Sequence, residues 1–249
     1  MMEQKLFKFF LGIKLSKINR EKYLSKHFKN QFISMNMNLI EYLLKNGVSY
    51  RETAIHLIKN RMVSVNGRIV TYPNLPLQPE DKTSVLREEY KDVPPSFWKL
   101  KKIQDSLKLI QRGDFILDVE SPDGGFPLFA ARMEANVILL TIKNDFGFLK
   151  KEGIEIIKKN VLREIPEKFL SNKFDIIMIE TGFDIMKNIQ ILEKLRPYIG
   201  SRGKLIMFLP RIGRENVKEM AEEMLLNQKL EAIEFFDARK GFYVYAKAV

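Results

Sequence analysis

Two constellations in the sequence are of types and spacing that could do chemistry. The first is a set of cations in one short stretch: Arg51, Lys59 and Arg61, followed by Arg68. Guanidinium and ammonium groups on one side of a small unit meet phosphates, and arginine can do so as a bidentate fork. The second is Ile116-Leu117-Asp118-Val119-Glu120-Ser121-Pro122-Asp123-Gly124-Gly125-Phe126. An apolar run, a double-glycine turn and a helical pattern in that order make a nucleotide-type loop, where glycine lets the backbone approach a ligand. Other chemistries drop out. There is no cysteine, which excludes disulfides, thiolate metal sites and cysteine nucleophiles. His27 and His56 are too few for a histidine metal centre or triad, so no metal is expected.

The elements that must position these groups are legible as patterns. Leu39, Ile40, Leu43 and Leu44 make one apolar helix face, and Gly47 closes that helix. Ser49 is the expected N-cap of the next helix, with Glu52 in capping-box position and free backbone N–H groups presented to an anion. Ala54, Ile55, Leu57 and Ile58 form its buried side. Met62 to Val70 reads as two short strands about Asn66-Gly67, and Thr83 to Leu86 as a closing strand. Tyr90 to Pro95 reads as a linker whose paired prolines resist helix, with a helix from Lys99 to Ile110 beyond it. Strands are then expected at Phe115–Val119, Val137–Ile142, Ile154–Ile157, Phe174–Ile179, Lys204–Leu209, Ala232–Phe236 and Phe242–Ala246. Helices at Pro127–Met133, Met186–Tyr198 and Arg214–Asn227 separate them. The alternation implies an α/β fold with a mostly parallel sheet and helices on both faces.

The net charge of +11 favours polyanions. No apolar run approaches a membrane span, and no signal peptide is recognisable, so a cytoplasmic protein without a membrane partner is expected. Residues 1–36 form a basic extension that reads either as an amphipathic helix lying on RNA or on a neighbouring surface, or as a loosely ordered tail.

The stretch Tyr50 to Val70 resembles the S4-type RNA-binding domain. It shows the arginine opening the second helix (Arg51), an alanine and a Leu-Ile pair within it (Ala54, Leu57, Ile58), and Val-x-Val-Asn-Gly (Val63 to Gly67). The resemblance places that domain at 37–90 and implies shape and phosphate readout of structured RNA, above all ribosomal RNA. Its candidate RNA surface comprises Lys45, Arg51, Lys59, Arg61, Asn66 and Arg68. The domain has no aromatic platform for single-stranded bases.

Residues 91–249 resemble the FtsJ and TlyA group of RNA methyltransferases, with the loop at Asp118 to Phe126 as the sharpest match. TlyA-type proteins also carry an S4-type domain in front. The resemblance implies a Rossmann-like methyltransferase fold and S-adenosylmethionine as a possible cofactor, held by Asp118, Ser121, Gly124, Gly125 and Phe126. The family's catalytic Lys-Asp-Lys-Glu set maps onto Lys99, Glu180, Phe208 and a position near Gly241 or Phe242. A lysine base needs burial or nearby cations to work, and Phe208 supplies none. Lys204 lies about 13 Å along its strand from position 208, too far to substitute. Glu120 stands where glycine is wanted and would repel the cofactor's carboxylate, and Thr141 stands where an acid grips a ribose. The expectation is an RNA-binding, ribosome- or assembly-associated protein with a degenerate methyltransferase-like domain. The alternative is an active ribosomal RNA 2′-O-methyltransferase using Lys99 and Glu180. A membrane-surface role for the basic extension is a third reading.

Overall fold

The computed structural model describes residues 37–143, 145–181, 185–211 and 217–249. The basic extension therefore lies outside the described residues, as does the start of the helix expected from Arg214. The chain divides into two compact units between Asp92 and Val93.

The first unit begins with α1 (Leu39–Lys45) and α2 (Arg51–Lys59). Asn38 caps α1 through a capping box with Glu41. Gly47, at φ 96°, ends α1, and the Val48 N–H returns to the Leu43 carbonyl. This is the left-handed exit for which glycine carries no Cβ penalty. Leu39, Ile40, Leu43, Ala54, Leu57 and Ile58 are buried. Leu44 and Ile55 are only partly so.

Ser49 does not cap α2. Tyr50 occupies the N-cap without a side-chain bond, and Ser49 Oγ instead donates to Asp92 Oδ1 at 2.6 Å. The capping-box expectation with Glu52 fails with it. A nearer carboxylate competed successfully for the serine hydroxyl.

β1 (Val63–Val65), β2 (Arg68–Ile69) and β3 (Thr83–Val85) form an antiparallel sheet in the order β2-β1-β3. The β1–β2 turn places Asn66 at φ 51° and Gly67 at φ 76°. Two successive positive φ angles are what a type I′ hairpin turn requires.

In the second unit the helix expected from Lys99 starts earlier, as α3 (Pro95–Leu107). Pro95 is its first residue, where a missing N–H costs nothing and the fixed φ is already helical. Val93 and Pro94 are buried, so the expected linker is partly packed. There follow β4 (Phe115–Val119), α4 (Gly125–Arg132), β5 (Asn136–Leu140), β6 (Glu155–Ile157) and β7 (Phe174–Ile179). α5 (Ile185–Leu195), β8 (Ile199–Pro210), α6 (Val217–Asn227), β9 (Leu230–Ala238) and β10 (Gly241–Ala248) complete it. The sheet order is β6-β5-β4-β7-β8-β10-β9. The first five strands run parallel, while β10 is antiparallel to both β8 and β9. This is the mostly parallel sheet predicted from the alternation, in the Rossmann-like form that the resemblance implied. Its core includes Leu117, Ile177, Leu192, Leu205 and Val244, all at most 1% exposed.

Candidate functional site

Three neighbouring strands bring the site together at their adjoining ends. β7 and β8 pair with Ile179 opposite Met207, so Glu180 and Phe208 follow side by side. β8 and β10 pair with Phe208 opposite Tyr243. The Asn188 amide donates to the Phe208 carbonyl at 2.9 Å and fixes the backbone there, and Thr181 Oγ1 donates to Asn188 Oδ1.

Lys99, on α3, reaches this row. Its Nζ donates to Glu180 Oε1 at 3.0 Å and to the Tyr243 hydroxyl at 3.3 Å. The Tyr243 hydroxyl donates to the same Glu180 oxygen. Glu180 is buried and Lys99 is not: their side chains are 5% and 47% exposed. Burial pushes the Glu180 carboxyl up from its ordinary range, while the Lys99 charge and the Tyr243 hydroxyl pull it back. Burial, and then the Glu180 charge, push the Tyr243 phenol far up, so it stays a proton donor at ordinary pH. The other Glu180 oxygen, Oε2, is buried and makes no hydrogen bond among the described residues. The rings of Phe208 and Phe126 lie 5.2 and 5.5 Å from that of Tyr243.

Lys99 and Glu180 are thus brought together as the resemblance implied. The fourth position is corrected. Phe242 faces Phe235, and it is Tyr243, one residue further on, that enters the cluster. Neighbouring residues of a strand point to opposite faces, and the β8–β10 register puts Tyr243 rather than Phe242 beside Phe208. Lys204, set aside for distance, is engaged elsewhere: its Nζ donates to the Leu109 carbonyl at 2.7 Å. The cluster can hold a polar group, but position 208 gives Lys99 a phenyl ring where base chemistry would want a second cation.

The five residues assigned to the cofactor are all buried. Asp118 accepts the Ser121 hydroxyl at 2.8 Å, and its Oδ1 has no partner among the described residues. Burial pushes its carboxyl well above the ordinary range; the Ser121 bond opposes this and the Glu180 charge adds to it. A Cβ on Gly124 would meet Phe146, Phe148 and Leu149 side-chain atoms at 3.1 Å. One on Gly125 would run into the backbone of Ser96 and Phe97. Both glycines therefore serve contacts within the chain. Asp123, which sequence reading left without a role, ties the same junction by accepting the Ser96 and Gly125 N–H groups, each at 3.0 Å.

Glu120 departs from expectation. At φ 60° it occupies a glycine-like conformation, and its carboxylate turns to the end of β5. It accepts the Ile142 N–H at 3.0 Å and the Thr141 hydroxyl at 3.1 Å. The carboxylate thus folds back onto the chain instead of standing free to repel a ligand. With the glycine faces covered and Glu120 committed, this residue set does not fit S-adenosylmethionine in the manner the resemblance implied. No group of three or more potential metal ligands occurs among the described residues.

In the first unit Lys45, Arg51, Lys59, Arg61 and Arg68 are all exposed. None is paired with a carboxylate among the described residues. Arg61 sits at φ 62°, and the Met62 N–H reaches back to the Leu57 carbonyl at 2.9 Å. Asn66 is placed differently: its amide donates to Asp81 and accepts from the Lys82 N–H, so it braces the turn.

No protein-family model matches the chain. The ribosomal RNA large subunit methyltransferase E of Wolbachia pipientis wMel is 34% identical over 86 residues, which cover 33% of this chain and 43% of that protein. The chain thus spans less than half the length of this curated relative. A Streptococcus thermophilus structure described as a hemolysin aligns over 86% of this chain and 90% of its own, at TM-score 0.57 and 14% identity. A Lactococcus lactis structure so described aligns over 63% and 88%, at TM-score 0.53 and 17% identity. The chain shares the fold of these two structures and, over one stretch, the sequence character of a ribosomal RNA methyltransferase.

Proposed function

We propose that the chain binds structured RNA, ribosomal RNA above all, through an S4-type domain at 37–90. We further propose that its domain at 91–249 keeps a methyltransferase fold without methyl transfer. The observation that carries the RNA reading is the set of five exposed cations that have no carboxylate partner among the described residues, disposed on α1, on α2 and its exit, and on β2. Unpaired cations on a small rigid unit are free to replace the counterions of a phosphate backbone. The likeness to a ribosomal RNA methyltransferase supports the same partner class. Phe208 and Tyr243, where the resemblance wants lysine and glutamate, support the absence of transfer.

Arg61 gives a test that separates binding from stability. It occupies the left-handed position that ends α2, where a non-glycine residue costs about 1 kcal/mol. Arg61→Gly should therefore raise stability by about that amount while weakening RNA binding. Titration of a ribosomal RNA fragment at several salt concentrations should show the Arg51→Ala, Arg61→Ala double variant losing just under about two from the slope of log affinity against log salt. An unchanged slope removes both residues from the interface.

A second reading, an active 2′-O-methyltransferase, is favoured by one observation: Lys99 and Glu180 are in contact. Incubation with ribosomal RNA and S-adenosylmethionine carrying a radioactive methyl group decides between the two. The proposal expects background labelling and no heat of cofactor binding. Labelling that disappears in Lys99→Ala would establish the enzyme.

A further inference from the structure

We infer that the second unit has an RNA-backbone contact of its own, a row of cations at the end of its sheet remote from Lys99 and Glu180. The row is Lys173, Arg202, Lys247 and Lys229, with Lys108 beside it. The inference rests on the RNA-binding reading above for its partner class and adds a second surface that no sequence motif marked.

Strand order and direction build the row. β7 and β8 run parallel, and Glu180 and Phe208 stand at their far ends, so Lys173 and Arg202 lie where those strands begin. β10 is antiparallel to β8 and sets Lys247 opposite Lys204. β9 is antiparallel to β10 in turn, and the Val249 N–H donates to the Lys229 carbonyl at 3.2 Å. The Lys204 bond to the Leu109 carbonyl brings Lys108 to the same end. β7, β8, β10 and β9 are successive neighbours in the sheet, so the row is about 15 Å wide. It lies roughly 13 Å or more along β8 from Phe208.

Cations at helix ends commonly answer the helix dipole, and α3 and α6 both end here. The carbonyls that follow these helices are served by other side chains. Lys204 takes that of Leu109, and Arg196 donates to those of Gln228 and Lys229. Arg112 is engaged by Glu134 at 3.0 Å. Asp114 and Asp175 accept the Gln111 and Phe115 N–H groups, each at 2.8 Å. Glu231 stands opposite Lys247 without forming an ion pair with it. Lys247 lies over the Tyr245 ring, 5.6 Å from its centre, and stays exposed. The five cations of the row are all exposed, and none is paired with a carboxylate among the described residues. Like charges set directly opposite, as at Lys204 and Lys247, are unfavourable in the free protein, and an anion relieves them. A row this wide, spread over separate strand ends, suits successive phosphates of a polymer better than one small anion.

The test uses the full chain and a ribosomal RNA fragment, with lysine acetylation read by mass spectrometry with and without RNA. Lys108, Lys173, Lys229 and Lys247 should lose reactivity severalfold when RNA is bound. Lys150 and Lys151, exposed between β5 and β6, should react as before. Arg202→Gln, Lys229→Gln and Lys247→Gln combined should lower the slope of log affinity against log salt by just under about three. Lys150→Gln, Lys151→Gln and Lys168→Gln combined remove the same net charge elsewhere and should lower it by less than about one. Full reactivity of the row with RNA bound, an unchanged slope in the first triple variant, or an equal loss in both triple variants overturns the inference. The RNA-binding reading stands in those cases where Lys45 and Lys59 are protected. Protection of the row by anionic phospholipid vesicles but not by RNA overturns the inference in favour of a membrane surface. No binding of the RNA by the wild type overturns both readings.

Discussion

Gly125→Ala should destabilise the second unit by about 3 kcal/mol or more, the upper end for overpacking a rigid contact. The added Cβ would lie 2.9 Å from the Ser96 carbonyl carbon and closer still to Phe97 N and Ser96 Oγ. Two of these are backbone atoms at the start of α3, where the Phe97 N–H is committed to the Pro94 carbonyl. Neither can swing aside as the end of a flexible side chain could. The same displacement would stretch the Asp123 bonds that join the beginnings of α3 and α4. Gly47→Ala is the matched control: nothing lies within 4 Å of its Cβ, and only its φ of 96° opposes the change. That variant should lose about 1 kcal/mol. Urea unfolding monitored through Trp98 should show a lower midpoint for Gly125→Ala at an unchanged denaturant slope. A midpoint equal to the wild type would mean that Gly125 is not a packing glycine.

Asp118→Asn should raise the thermal midpoint by several degrees, with a pH dependence whose sign follows from burial. The Asp118 carboxyl is pushed up by desolvation first, and by the nearby Glu180 charge as well. A carboxyl raised in the folded state keeps its proton there after the unfolded chain has released its own. Folded-state stability from this group is therefore complete below the ordinary aspartate range, about pH 4, and is lost as pH rises through the folded value. An asparagine cannot ionise, and its carbonyl oxygen can still accept the Ser121 hydroxyl. The advantage of the variant should be absent near pH 4 and grow toward neutral and alkaline pH. Melting curves of both proteins across pH 4–9 test this. An advantage that shrinks with rising pH would show that Asp118 gains a stabilising cation the structure does not contain.

The patterns of single elements were legible, and the relations between distant ones were not. Phe115–Val119 and Phe174–Ile179 are apolar runs each interrupted by a single aspartate, and their ends fall where predicted. Asn66-Gly67 announced its turn because few other pairs tolerate two positive φ angles. Ser49 misled because a cap and a tertiary bond to Asp92 look alike in one dimension. Pro95 misled because proline opens helices as readily as it breaks them. Lys99 and Glu180 were reachable by resemblance, whereas Tyr243 depended on the register of an antiparallel pair. Glu120 was read for its charge, but where that charge points is set by a left-handed backbone that lets it reach the next strand.

Strand β10 lies between β8 and β9, and it carries Tyr243 to a partner 144 residues earlier in sequence, Lys99. Closing so long a loop costs entropy before any contact rewards it, and such distant pairings form late in folding. The cations from Lys45 to Arg68, by contrast, sit on neighbouring short elements. On the RNA-binding proposal, a refolding chain should therefore regain attraction for polyanions through these cations before the Lys99–Tyr243 contact has formed. Half-folded molecules would then already compete for polyanions before the second unit is complete.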